Sequence, residues 1–321
     1  MPLKSEILKE LEANRDTDLS GQMLAEKLSV SRNAVWKAVN TLKDEGYTIL
    51  SGQNKGYRLA ENNDLISAEG IKNFLCDKNK QLPVYIYKEI DSTNNEAKRL
   101  IANGMTTNAL IAAETQTAGR GRFGRQFYSP EQTGIYMTLI VNPQFNINDA
   151  VLITSAASVA VVRTIEKLTD KKPQIKWVND VYLDGKKICG ILTEATTSFE
   201  TGTVQSIIIG IGINISTADF PVELKDVAAA LNPDGITRNK LIATIVDNLL
   251  ELTDNLTDRS FLDDYRSHSL VIGKHIDYYK NGEKFNAYAA AIDDTGGLVI
   301  RNANGSEETL RSGEITVRVK R

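Results

Sequence analysis

The sequence predicts an α+β chain in three parts: a winged helix-turn-helix over 1–62, a central mixed α/β domain over 63–269, and a small β-barrel over 270–321. Three observations carry this expectation. A basic, acid-free helix pattern follows a short helix and a tight turn near the N-terminus, and a hairpin follows that. Strand and helix patterns fill the middle, interrupted by one loop rich in glycine and arginine. From about Leu270 the texture changes to short alternating runs punctuated by Asn281-Gly282, Asp294-Thr295-Gly296-Gly297 and Asn304-Gly305, which suits a barrel of some five strands.

Composition bounds the rest. A chain of 321 residues has room for two or three domains. A net charge of −3 argues against a general polyanion binder, while permitting one locally basic surface. Cys76 and Cys189 stand apart with no CxxC spacing, so neither a disulfide framework nor a thiolate zinc site is expected. The opening MPLKSEILKELE lacks the apolar stretch of a signal peptide. The apolar runs near 150–162 and 207–215 are too short or too rich in Ser and Thr to span a bilayer. The expectation is a cytoplasmic protein with no membrane partner.

In the first part, Leu3, Ile7, Leu8 and Leu11 share one helical face, and a second helix covers Gln22 to Leu28. After Ser29-Val30-Ser31 comes a third helix, in which Val35, Val39 and Leu42 form the buried stripe. Lys27 to Lys43 holds four basic residues and no acid. Tyr47–Leu50 and Gly56–Leu59 flank a turn and read as a wing. Such a module can bind DNA or simply contact protein; the wing and the acid-free helix favour DNA. Arg32, Lys37 and Lys55 would hold phosphates, with Ser31, Asn33 and Trp36 placed to read bases.

A polar break at Glu61-Asn62-Asn63-Asp64 reads as a linker, and a helix follows from Ala68 to Leu75. A strand at Val84–Tyr87 runs into Asp91-Ser92-Thr93-Asn94 and a helix over Asn95–Asn103. That polar cluster either caps the helix or lines a ligand pocket. Strands at Leu110–Ala113 and Ile135–Val141 flank Gly119-Arg120-Gly121-Arg122-Phe123-Gly124-Arg125, three glycines and three arginines with no acid among them. Glycine lets backbone approach a bound group, and arginine offers a fork of donors to carboxylate or phosphate. Self-repulsion and scant apolar surface predict a loop that is mobile when empty and ordered by an anion. The alternative is an RG-rich loop that only touches solvent or nucleic acid.

Asn148–Leu168 reads as a buried helix. Ile175–Leu183 reads as a strand that turns at Asp184-Gly185 into Lys186–Glu194, and Ser206–Ile215 as a central strand whose Gly210 and Gly212 admit a close neighbour. Lys187, just past the turn, either reaches the working face of the sheet or is solvated. Leu241–Leu256 and Phe261–Arg266 read as helices.

These segments together resemble the bifunctional biotin–protein ligase and biotin operon repressor family, in the form with an N-terminal DNA-binding domain. The resemblance rests on Asp91-Ser92-Thr93-Asn94, Gln116 with Gly119–Arg125, Lys176-Trp177-Val178-Asn179-Asp180, Lys187 before Gly190-Ile191-Leu192, and Gly210-Ile211-Gly212-Ile213-Asn214. Five weak motifs in the family's order, behind a winged helix and ahead of a barrel, are specific together. The resemblance implies a catalytic domain of the biotin/lipoate ligase type and a C-terminal barrel of the SH3-like type. It implies biotin and ATP as substrates, Mg2+ carried by ATP rather than by a metal site of the protein, and biotinyl-5′-AMP as both intermediate and corepressor. Its implied partners are a biotin carboxyl carrier domain of acetyl-CoA carboxylase or a related carboxylase, operator DNA, and a second copy of the chain when ligand is bound.

By the same matching, Ser92, Thr93, Asn94 and Gln116 would hydrogen-bond the biotin head group. Gly121 would let the loop close, and Arg120, Arg122 and Lys187 would carry the positive charge that the reaction of two anions needs. Lys176, Asp180 and Asn214 would stand near the adenylate, and the segment Pro221–Leu231 would cover the adenine. Two positions depart from the family pattern. Val178 stands where proline is common, from which altered rigidity rather than lost activity is expected. Phe127 stands where tryptophan is common, which keeps a smaller apolar plug. Two competing functions stay open at this point: a biotin-sensing transcription regulator without ligase activity, and a ligase for another cofactor acid such as lipoate.

Overall fold

The computed structural model describes residues 2–52, 55–142, 150–197, 204–280, 283–311 and 315–316. Helices α1 (Leu3–Ala13), α2 (Gly21–Lys27) and α3 (Arg32–Asp44) enclose a core of their own made of Ile7, Leu11, Leu24, Val35, Val39 and Leu42. Ser20 and Ser31 cap α2 and α3, accepting from the amides of Met23 and Ala34. Strands β1 (Ile49–Gly52) and β2 (Gly56–Leu59) form the antiparallel wing. Gly56 has φ +88° and lies against the Leu19 carbonyl, 2.4 Å from where a Cβ would stand, so glycine is required there.

The break at 61–64 is a fastened segment rather than a loose linker. Asn63 is buried and its Oδ1 accepts from the Thr48 amide. Asp64 pairs with Arg238, a residue 2% exposed whose Nη1 donates to Glu114 Oε2 at 2.7 Å. Burial raises the Asp64 carboxyl above its ordinary value, against the opposing charge of Arg238. Helix α4 (Ala68–Phe74) follows, and its Asn73 donates to the Glu12 carbonyl of α1, joining the first part to the second.

The central sheet has seven strands: β3 (Val84–Ile90), β4 (Ala109–Gln116), β5 (Gly134–Val141), β6 (Gln174–Lys176), β7 (Asp180–Leu183), β8 (Lys186–Thr197) and β9 (Val204–Asn214). Their spatial order is β3-β4-β5-β9-β8-β7-β6, parallel only at β3–β4. Alternation along β4, β5 and β9 serves two cores. Ile111, Ile140 and Ile208 face α5 (Thr93–Ala102), while Leu110, Leu139 and Ile209 face the larger core built with α6 (Ala150–Leu168) and α7 (Arg238–Asp254). Residues 148–149, expected at the start of α6, lie outside the described residues.

One expected strand is divided. Residues 175–183 are not continuous: β6 and β7 pair antiparallel, Lys176 opposite Asp180, and residues 177–179 reverse the chain through a cis Trp177–Val178 peptide bond. The β7–β8 turn falls at Asp184-Gly185 as expected. Helix α5 begins at Thr93, two residues before its expected start, so Thr93 and Asn94 lie in its first turn. After α8 (Phe261–Ser267), strands β10 (His275–Lys280), β11 (Glu283–Ile292), β12 (Leu298–Asn302), β13 (Glu307–Leu310) and β14 (Ile315–Thr316) form a five-stranded antiparallel sheet in the order β13-β12-β11-β10-β14. Ile276, Ala289, Leu298 and Ile300 join the larger core. The expected Asn281-Gly282 turn lies outside the described residues. Among the described residues no helix is long and apolar enough to cross a membrane.

Candidate active site

Strand β9 supplies a floor that must be glycine. A Cβ on Gly210 would stand 2.1 Å from Asn94 Oδ1, and one on Gly212 would stand 2.6 Å from the Phe127 ring. The missing side chains are what let α5 and the loop after β4 come down onto the sheet. Above this floor opens a cavity of ≈ 320 Å³, within the size range of small-molecule sites.

At one end of the cavity stands a buried polar network. Gln116 Oε1 accepts from the Thr93 amide at 2.9 Å and the Thr93 hydroxyl at 3.2 Å, while its Nε2 donates to Ser129 Oγ at 2.9 Å. Thr138, fully buried on β5, reaches Asn94 Oδ1 at 2.7 Å and Thr93 Oγ1 at 2.8 Å. Asn94 Nδ2 donates to Glu194 Oε2 at 2.9 Å. Ser92 lines the cavity too; it occupies the N-cap of α5 without a capping side-chain bond. The Thr93 and Asn94 side chains turn instead to the network with Gln116 and Thr138.

Charge gathers around the same space. Arg120, Arg122, Arg125, Lys176 and Lys187 line it, against Asp180 as the single acid among the lining residues. The Gly/Arg loop is a closed hairpin: the Gly121 amide donates to the Arg125 carbonyl at 2.7 Å and the Phe127 amide to the Gly119 carbonyl at 2.9 Å. Phe127 lies over Gly212 and meets Tyr136 edge-on, the expected apolar plug. Arg120 Nη1 donates to Asn95 Oδ1 at 3.1 Å, and Arg122 Nη1 to Asn179 Oδ1 at 3.0 Å. The Arg122 guanidinium also sits over Phe123, which is 65% exposed with φ 56°.

The 177–179 reversal is held from three sides. Trp177 Nε1 donates to the Gly296 carbonyl, Tyr265 Oη to the Val178 carbonyl, and Asn179 Nδ2 to the Ile191 carbonyl. It delivers Lys176 and Asp180 to one wall. Lys187 Nζ is 2.7 Å from Asp180 Oδ1, an ion pair by distance. The contact lacks hydrogen-bond geometry, so Asp180 Oδ1 is buried without a hydrogen-bond donor. Lys176 Nζ reaches Tyr182 Oη at 3.4 Å, where burial first and the Asp180 charge second push the phenol up to about 12.

The structure thus brings Ser92, Thr93, Asn94, Gln116, Arg120, Gly121, Arg122, Lys176, Asp180 and Lys187 to one cavity. Asn214 is set back from it, donating to the Ala229 carbonyl and so bracing the 221–231 segment. That segment pairs with β8 through the Lys187 amide and carbonyl and sends Leu224 into the cavity. Thr138, Asn179 and Glu194 were not singled out from the sequence. Asn179 lies inside the Lys176–Asp180 motif, whereas Thr138 and Glu194 sit in unremarkable strand runs.

The residues expected to meet DNA lie on α3 and the wing. Arg32, Asn33, Trp36 and Lys37 are exposed on the helix, Trp36 by 54%, and Lys55 is exposed on the wing. Ser31 is exposed but engaged as the helix cap.

Comparison with known proteins bears on the two parts of the chain separately. Residues 86–214 match the model of the Biotin/lipoate A/B protein ligase family, and residues 4–58 match that of an HTH domain. The bifunctional ligase/repressor BirA of Bacillus subtilis is 34% identical over 297 residues, covering 89% of this chain and 90% of that protein. Its counterpart in Escherichia coli is 30% identical over 307 residues, 92% and 94% of the two chains. The solved structure of the Aquifex aeolicus biotin protein ligase in complex with biotin and ATP superposes with a TM-score of 0.63 at 27% identity, covering 74% of this chain and 98% of that one. The chain belongs to the family of bifunctional ligase/repressor proteins that join a biotin–protein ligase domain to an N-terminal helix-turn-helix.

Proposed function

We propose that the protein is an ATP-dependent biotin–protein ligase that forms biotinyl-5′-AMP and transfers biotin to a lysine of a biotin carboxyl carrier domain, and that it also represses biotin genes when the adenylate is bound. The observation that carries the ligase reading is the pairing of a buried amide-and-hydroxyl network with five cations around one cavity. Biotin offers a polar ureido ring at one end and a carboxylate at the other, matching that polarity. ATP supplies the electrophilic α-phosphorus, and its bound Mg2+ offsets part of the phosphate charge.

Arg120, Arg122 and Lys187 hold the carboxylate and α-phosphate oxygens together where negative charge accumulates. Lys176 and the Lys187–Asp180 pair, which line the cavity, would meet the nucleotide, and Leu224 would cover its base. Asn214 acts by bracing that cover. The carrier amine then attacks the mixed anhydride and AMP leaves, with no covalent bond to the enzyme. The C-terminal sheet has the strand number of an SH3-like barrel, and its Gly296 carbonyl fixes Trp177 at the site wall.

As a repressor, the chain would bind operator DNA through α3 and the wing: Arg32, Lys37 and Lys55 on phosphates, Asn33 and Trp36 on bases, with Ser31 starting the helix. Adenylate binding would favour a homodimer by stabilising the dimer-competent loop arrangement. These activities belong in the cytoplasm, where ATP, carrier and DNA meet. Lipoate is the poorer fit, because its dithiolane offers neither N–H nor C=O to this polar end of the cavity. A sensor without ligase activity would have no need of Lys187 and the loop arginines. Pyrophosphate release from MgATP tests the reading: release is expected with biotin and not with lipoate. No biotin-dependent release, or preference for lipoate, would refute it.

A further inference from the structure

Glu194 on β8 does not line the cavity, yet two groups that do, and Lys98 of α5, meet on its carboxylate. Asn94 Nδ2 lies 2.9 Å from Oε2, Lys98 Nζ 2.8 Å from Oε1, and Arg120 Nη1 3.4 Å from Oε1. A carboxylate only accepts, so the Asn94 amide must turn its nitrogen toward Glu194 and its oxygen toward Thr138. Thr138, 0% exposed, has one proton to give and finds two acceptors, Asn94 Oδ1 and Thr93 Oγ1. The Thr93 proton goes to Gln116 Oε1, whose orientation is set in turn by the Thr93 amide and Ser129. Thr93 therefore offers the cavity lone pairs and no proton. On the other side, Glu194 and Asn95 draw the Arg120 guanidinium across from the loop onto α5 and β8.

We propose that Glu194 is a positioning residue for biotin: its charge fixes the direction of the Asn94–Thr138–Thr93 hydrogen bonds, so that the head-group end of the cavity is built to receive N–H donors. The proposal rests on biotin being the ligand of this cavity. Lys98, which reaches Glu194 from α5, lets a carboxylate persist there by offsetting its charge. With glutamine at this position that fixed direction is lost. A glutamine presents either donors to three donors or a weaker neutral acceptor, and the Asn94 amide is free to reverse.

The test is calorimetric titration of the full chain with biotin alone, so that ATP and catalysis do not enter, followed by steady-state kinetics. Glu194→Gln is expected to weaken biotin binding about tenfold and to raise the biotin KM in step, the ATP KM rising less because Arg120 keeps its bond to Asn95. Thr138→Val is expected to have a similar effect, Thr138→Ser to bind as the parent does, and the two defects in Glu194→Gln/Thr138→Val to add to much less than their product. Glu194→Gln binding biotin normally, a rise in ATP KM equal to that for biotin, or fully multiplicative defects would overturn the proposal. Should Glu194→Gln fail to fold, the valine and serine variants at 138 decide alone: equal biotin affinity for both overturns it. If the parent protein bound no biotin, the proposed ligase function itself would fall instead.

Discussion

Lys187 Nζ lies 2.7 Å from Asp180 Oδ1, across the hairpin that joins β7 to β8. The pair places a cation at the mouth of a wall made by Lys176, Asn179 and Asp180, and leaves a buried carboxylate oxygen without a hydrogen-bond donor. An arriving anion can take Lys187 from Asp180 without any backbone change.

Replacing Lys187 with alanine should lower biotinyl-adenylate formation by at least about a hundredfold, the usual scale for one transition-state donor. Asp180→Asn should cost less, about tenfold, because it only steers the lysine. Biotin-dependent pyrophosphate release measures both. A Lys187→Ala enzyme at parental rate would remove this lysine from the mechanism.

Gly210→Ala probes the floor. Its methyl would fall 2.1 Å from Asn94 Oδ1, a side chain already held by Thr138 and Glu194 and so unable to withdraw without breaking those bonds. Overpacking of this kind costs roughly 1–3 kcal/mol of stability. Biotin affinity should fall at least about tenfold as Asn94 is pushed aside, checked by urea unfolding and by calorimetry. Parental affinity would show that Asn94 is not part of the ligand site.

Much of this site was legible in the sequence because its chemistry is compositional. Arginine and glycine without acid in Gly119–Arg125, and the polar run Asp91–Asn94 at a strand-to-helix junction, are unusual however the chain folds. What escaped depends on three-dimensional meeting. Glu194 and Thr138 look like ordinary members of half-buried strands, and only the crossing of α5 over β5, β8 and β9 brings them to Asn94. The reversal at 177–179 was hidden because Ile175, Trp177 and Val181 alternate as a single strand would. Asn214 lies in a recognisable motif, but its amide turns to the Ala229 carbonyl, a direction no spacing rule gives.

The clamp of Arg238 on Glu114 and Asp64 is structural. Arg238→Met leaves Glu114 buried without its partner, and removing one member of a buried pair costs roughly 3–5 kcal/mol. Urea unfolding should register that loss, whereas the same change at exposed Lys9 should register almost none. Equal effects at the two positions would contradict the assignment.

Glu194 also sets a pH dependence. Burial works to raise its carboxyl, but hydrogen bonds from Lys98 and Asn94, then the charges of Lys98 and Arg120, hold it below its ordinary 4.5. A lowered folded-state pKa stabilises the fold fully above the unfolded value and loses that contribution as pH falls through the folded one. The stability difference between the parent and Glu194→Gln should therefore be constant near neutrality and shrink on acidification below the ordinary carboxylate range. Urea unfolding as a function of pH checks the sign; a difference that grew on acidification would refute it.

On α3, Lys37→Ala should weaken binding to duplex DNA whatever its sequence and reduce the slope of log affinity against log salt by about one. Trp36→Ala should instead reduce discrimination between operator and random duplex. Anisotropy titrations over a salt series separate the two. An unchanged slope for Lys37→Ala would mean that it meets no phosphate.

The ligase claim is tested most directly by the mass of a purified biotin carboxyl carrier domain after incubation with this protein, biotin and MgATP. The expected result is a gain of one biotinyl group, lost with Arg120→Ala or Lys187→Ala. An unmodified carrier, despite biotin binding by the protein, would contradict the claim and leave a biotin-responsive DNA-binding regulator.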